Sequence, residues 1–213
     1  GDRASTKRAI LRMNIFMAPH IARHGEKKNS LFDDLGEKAV KPLVVVAIHI
    51  HVRLMEVQNT NLTGKLLVAM PSMGDPRFEH SVVYISSHSE DGAMGLIVNK
   101  PNQKLELKAL LGHLDISSGP ATPEVSVYFG GPVEQSRGFL LHSAEYMGDP
   151  DTVRIDAHFA LTATVDVLKD LAQGTGPETS LLALGYSGWS VGQLEAELLA
   201  NGWLICEASL EIV

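Results

Sequence analysis

A chain of 213 residues, 45% hydrophobic and 20% charged, has the length and balance of one globular domain with room for a tail. Its formal net charge of −7 disfavours a broad nucleic-acid-binding surface, and a single cysteine, Cys206, excludes an internal disulfide and fits a reducing, cytoplasmic setting. No apolar run nears the ~20 residues of a membrane-spanning helix, so no membrane association is expected, and the opening residues lack the order of a secretory signal.

The charge is unevenly spread. Residues 1–54 carry ten Lys and Arg against five Asp and Glu, a net +5. Residues 55–213 carry eight against twenty, a net −12. Residues 1–57 read as a basic leader: a tail, a transit-like extension, or sequence upstream of a start at Met55. A short helix is expected around 9–17, and residues 43–52 have strand composition. His20 and His24 would share a helix face, and His49 and His51 a strand face. A metal site needs three or four converging ligands, and nothing ties these pairs together, so no metal is expected.

The acidic body, residues 58–213, reads as one mixed domain. Residues 62–70 form an apolar strand, 81–89 a second and 92–101 a third. Glu90-Asp91-Gly92 supplies a hairpin turn between the last two. Residues 105–114 predict a short helix, with Leu107, Leu110, Leu111 and Leu114 on one face. Strands follow at 125–129, 138–142 and 152–155. The spacing predicts a helix over 157–173 stopped by Gly174, then a strand over 180–186. Ser190 caps a helix through Leu199, and 203–206 is a last strand. Hairpin-like connections among intermixed strands and helices argue α+β over a doubly wound parallel sheet.

Three stretches together carry a resemblance: residues 62–101 (LTGKLLVAMPSMGDPRFEHSVVYISSHSEDGAMGLIVNKP), 127–143 (VYFGGPVEQSRGFLLHS) and 184–204 (LGYSGWSVGQLEAELLANGWL). The chain resembles the AlgH/YqgE family of bacterial proteins over nearly the whole acidic body. The resemblance implies an α+β domain whose largely antiparallel, bifurcated sheet curls into a pseudo-barrel with flanking helices. It implies no established biochemical activity; the family's usual label, transcriptional regulator, rests on a genetic association with alginate production. Family members continue past this chain's last residue with a helical segment, so a C-terminal truncation is expected.

Gly130, Gly131 and Pro132 follow a strand and could offer backbone N–H groups to an anion, but a strand follows where a phosphate loop needs a helix, so a structural turn is the simpler reading. Residues 185–189 (GYSGW) resemble a nucleophile elbow without meeting its pattern, and no histidine follows Ser187. Tyr186 and Trp189, with Gly130, Gly131 and Pro132, are the candidate ligand-binding residues. Asp75, His80, Asn99 and His142 form a candidate polar site, in which Asp75 could pair with His80 or His142. The plainer alternative has Asp75 capping its turn and the histidines as half-buried hydrogen-bonders. Glu195 and Glu197 point to different helix faces, and Cys206 reads as a buried, inert thiol. No cofactor and no catalytic residue are expected. The leading function is regulation through a protein or small-ligand partner. The alternative is a small-ligand binder or enzyme with a site near the GGP and GYSGW turns. Direct DNA binding by the acidic body is disfavoured.

Overall fold

A computed structural model describes residues 61–209 of the chain. The basic leader, with its expected helix, its strand-like stretch and its histidine pairs, lies outside the described residues. The elements are β1 (Lys65–Ala69), β2 (Val82–Ser89), β3 (Gly92–Ile97), β4 (Pro101–Glu106), α1 (Leu107–His113), β5 (Ser126–Phe129), β6 (Val133–Ser143), β7 (Val153–Arg154), β8 (Phe159–Thr162), α2 (Val165–Gln173), β9 (Ser180–Trp189), α3 (Gln193–Leu199) and β10 (Trp203–Glu207). The strands follow the order β10-β1-β2-β3-β9-β6-β8-β7, and β5 branches off β9 with β4 beyond it. Every pairing is antiparallel except β5 with β9. The sheet curls into a half-barrel, and the fold is α+β.

β9 is the shared member of the two branches. Leu182 and Leu184 sit between Val127 and Phe129 of β5 and Leu140 and Gly138 of β6. Further along, Ser187, Gly188 and Trp189 pair instead with Gly95, Met94 and Ala93 of β3. The change of partner falls at Gly185, whose φ of +73° is costly for a residue with a Cβ. A Cβ there would also lie 2.6 Å from Gly131 O.

Residues alternate across each strand, and both faces are used. On one branch Leu67, Val83, Ile85 and Ile97 pack with Leu194 and Leu198 of α3. On the other, Val127, Leu140 and Leu182 pack with Leu107 and Leu111 of α1 and Val167, Leu168 and Leu171 of α2. Between the branches, inside the curl, Tyr84, Leu96, Phe139, Leu141, Phe159 and Leu181 form a third core. Tyr84 OH donates to Asp156 Oδ2 at 3.1 Å, and its ring meets Phe159 edge-on at 5.3 Å, which ties β2 to β8 across the curl.

The expected hairpin is present, with Ser89 opposite Gly92 and Val83 opposite Ile97. Four local expectations differ. The helix expected over 105–114 begins at Leu107, because its first residues pair as the end of β4. The helix expected over 157–173 is two elements: strand β8, then α2. Phe159 and Leu161 are two apart, the strand period, and helical spacing starts only at Val165. Residues 185–189 are not a strand-to-helix turn but the second half of β9. Ser190 makes no side-chain cap; α3 starts after Gly192, at φ +71°. Gly174 ends α2 as expected, at φ +76°.

Candidate functional site

Gly130 and Gly131 lie where the two branches part. Gly130 N–H donates to Leu184 O at 2.8 Å, and Gly130 O accepts from Ile97 N–H at 2.8 Å and from Ser187 Oγ at 3.3 Å. A Cβ on Gly130 would stand 2.2 Å from Gly185 O, and one on Gly131 2.2 Å from Tyr186 O. The glycines let two backbones touch, and both are buried. Pro132 is half-buried beside them. Tyr186 and Trp189 are three positions apart on one strand, so they face opposite ways. Tyr186 meets Phe139 edge-on at 5.7 Å within the curl, whereas Trp189 joins Phe78 and Trp203 outside it. The five residues converge on the branch point without sharing one face.

The outer cluster is built around a carboxylate. Glu197 Oε2 accepts from Trp189 Nε1 at 2.9 Å and Trp203 Nε1 at 2.7 Å, and its Oε1 accepts from Gln193 Nε2 at 3.0 Å. Both indole rings are 5% exposed. Phe78 covers them from the β1–β2 connection, 6.2 Å from Trp189 and 5.6 Å from Trp203. That connection holds Asp75 and His80. Asp75 accepts from Arg77 N–H at 3.0 Å and from its guanidinium at 2.6 Å, and the guanidinium holds the Asp75 carboxyl below its usual range. His80 is 88% exposed, and its backbone O accepts from Asn99 Nδ2 at 2.8 Å. Asn99 Oδ1 in turn accepts from Val82 N–H at 2.8 Å. Asp75 therefore caps its own turn, and Asn99 pins the loop by its backbone.

His142 belongs to the other branch and is fully buried. Ser143 O can only accept, so the 2.9 Å contact to Nδ1 places the proton there. Nε2 then accepts from Thr162 Oγ1 at 2.9 Å, and Thr162 accepts from Thr152 Oγ1 at 2.7 Å. Burial pushes the imidazole's pKa below its ordinary value. Alongside, Tyr146 OH donates to Asp170 Oδ2 at 2.6 Å, and Thr164 Oγ1 bonds Asp149 Oδ2. The structure brings Asp75, His80 and Asn99 to one loop and places His142 apart from them.

Two features escaped the sequence. His88, 7% exposed, bonds Glu195 Oε1 through Nε2 at 2.9 Å and accepts Leu62 N–H at Nδ1 at 3.2 Å. The pair is 107 positions apart, and no local pattern announces it. A groove of about 500 Å³ also opens beside β4, with Asn102, Gln103, Glu106, Lys108, Glu124 and Ser126 on its walls. It exists because β4 bulges between its pairings of Pro101 with Tyr128 and Glu106 with Ser126. Among the described residues no cluster of three His, Cys, Asp or Glu is arranged to hold a metal, and no helix is long and apolar enough to cross a membrane.

A curled, mostly antiparallel sheet split at β9, with glycine-mediated backbone contact at the split, defines an α+β half-barrel domain. A family described as DUF179, AlgH-like matches residues 66–213, and the chain belongs to that family. It is 54% identical to a UPF0301 protein of Ruegeria pomeroyi, over 72% of this chain and 83% of that one. It is 53% identical to another from Cereibacter sphaeroides, with the same coverage. The solution structure of the AlgH protein from Pseudomonas aeruginosa superposes with a TM-score of 0.63 at 43% identity, covering 72% of this chain and 81% of that one. A crystal structure of a Corynebacterium diphtheriae protein, at 21% identity and a TM-score of 0.58, covers 73% of this chain and 80% of that one and shares the fold.

Proposed function

We propose that the domain is a cytoplasmic regulatory protein that acts through a protein or small-ligand partner and not by gripping DNA. One observation carries this: residues 55–213 hold twenty Asp and Glu against eight Lys and Arg. Each phosphate contact needs a nearby cation. Helix α3 has none, α2 has only Lys169, paired with Asp166 at 2.6 Å, and α1 has only Lys108. Of the candidate polar residues Asp75, His80, Asn99 and His142, three support the same reading, since Asp75, Asn99 and His142 are engaged with their own chain, while His80 is exposed. The groove beside β4, whose described lining side chains include the carboxylates of Glu106 and Glu124, the amides of Asn102 and Gln103 and the ammonium of Lys108, is where a polar partner fits.

The test is an anisotropy titration of residues 55–213 with duplex DNA at low and moderate salt. Low salt favours non-specific binding, and the expected result is no binding even there. Micromolar binding that persists at moderate salt overturns the proposal. Binding that needs residues 1–54 belongs to their +5 charge and leaves the domain reading in place.

A further inference from the structure

A second cleft opens between the C-terminal end of α1, the N-terminal end of α2 and the sheet beneath them. Its volume is about 140 Å³. Leu110, Leu140, Leu168, Leu182 and Leu184 make the walls, and Gly138 of β6 lies on the floor. Leu114 and Val165, 41% and 48% exposed, stand at the rim. No charged side chain lines it. Of the three hydroxyl residues on its border, Thr162 and Thr164 are bonded to His142 and Asp149, and Ser136 is the third.

Gly138 is the telling residue. Gly130, Gly131 and Gly185 are glycine because a Cβ would run into backbone oxygen at 2.2–2.6 Å. Gly138 meets no such clash. A Cβ there would meet only Leu182 Cδ1 at 3.8 Å and Leu184 Cδ2 at 4.0 Å, ordinary contact distances, and its φ is not positive. Glycine inside a strand weakens it and leaves nothing to pack; Gly138 is where β6 rejoins its ladder with β9 after the irregularity that follows Val133, and it is also where the strand leaves room above it. A valine or leucine at 138 would point into the cleft and fill it. The sequence keeps the space open instead.

We propose that this cleft is a binding site for a small neutral molecule built on a single aromatic ring. An apolar cavity of about 150 Å³ lined by aliphatic and aromatic side chains stays dry and takes up benzene. The match of volume argues for one ring, and the uncharged lining argues against an ionised one. The site shares no lining residue with the groove beside β4, and the proposal does not rest on the partner reading.

Toluene, phenol and benzoate serve as probes, titrated against the full chain and followed by the methyl NMR signals of Leu110, Leu140, Leu182 and Leu184. Toluene and phenol are expected to give saturable shifts in those signals, with dissociation constants on the order of 1 mM or tighter. Benzoate is expected to bind at least tenfold more weakly. Gly138→Ala should weaken toluene binding and Gly138→Val should lower it at least tenfold, with the melting temperature of Gly138→Ala unchanged or raised. If Gly138→Val does not fold, Gly138→Ala carries the comparison. Three results overturn the proposal: no saturable shift with either neutral ring, undiminished binding by Gly138→Ala, or a lower melting temperature for Gly138→Ala. The last would mean the glycine serves the backbone after all.

Discussion

Gly92 and His142 show how much one residue can be asked to do. Gly92 sits at φ +125°, and a Cβ there would stand 2.3 Å from Trp189 O. Conformation and contact both forbid a side chain. Gly92→Val should destabilise the fold by more than about 2 kcal/mol, read as a lower denaturant midpoint. This glycine was legible in the sequence, because a hairpin turn between two apolar runs needs one. His142 was legible only as a polar residue on a strand. Its neutral state follows from burial beside Thr162, which sequence does not display. The sign of its pH effect can be worked out. The folded pKa is lowered, so as pH falls the unfolded chain takes up the proton first, near its ordinary 6.5. Stability should be level in this respect above pH 6.5 and decline below it, through the folded pKa. A series of melting temperatures from pH 7.5 to 5 should show that decline for the native chain and a flatter line for His142→Gln, which keeps an acceptor for Thr162 but cannot titrate.

At the scale of elements, α3 is held less by its length than by its carboxylates. Seven residues are marginal as a helix, and tertiary contacts must hold them. Glu197 receives both indole N–H groups, and Glu195 receives His88. Glu197→Leu should leave two buried donors without an acceptor, cost about 2 kcal/mol or more, and shift tryptophan emission. Glu197→Gln keeps one acceptor oxygen and should cost less. Urea unfolding followed by fluorescence separates the two. The elements were legible where one face is apolar and the other polar, as in α2 from Val165 onward. They were misread where both faces are covered. β8 lies between β6 and β7, with Phe159 in the curl and Ala160 and Thr162 also buried, so its apolar run carries no polar alternation. β9 was read as ending at Tyr186 because glycines at 185 and 188 look like a turn. In the fold they permit the strand to change partners.

For the whole molecule, the division at residues 54–55 is the expectation most open to trial. Leu62 packs in the core and donates its N–H to His88, while the family match begins at Leu66. A chain beginning at Met55 keeps those contacts and should melt at the temperature of the full chain. A loss of several degrees would show that the leader packs on the domain. The fold class was legible from the alternation of short strands and helices together with the family resemblance. The grooves were not, because each depends on residues far apart in sequence: a bulge in β4, or a glycine at 138 beneath two helices.

The sharing of β9 sets an order of events. Until residues 180–189 leave the ribosome, β3 and β6 have no neighbour on the side β9 will take, and the two halves of the sheet are held together only by contacts such as Tyr84 with Asp156 and Ile97 with Gly130. The nascent protein must therefore carry open strand edges through most of its synthesis. Refolding in the test tube faces the same delay, since β9 must find β3 and β5 across long loops before the branches can close, and such closure is slow. A ribosome halted before Ser180 should hold a chain that proteases cut and chaperones bind. One halted after the final strand has emerged should hold a chain that resists both.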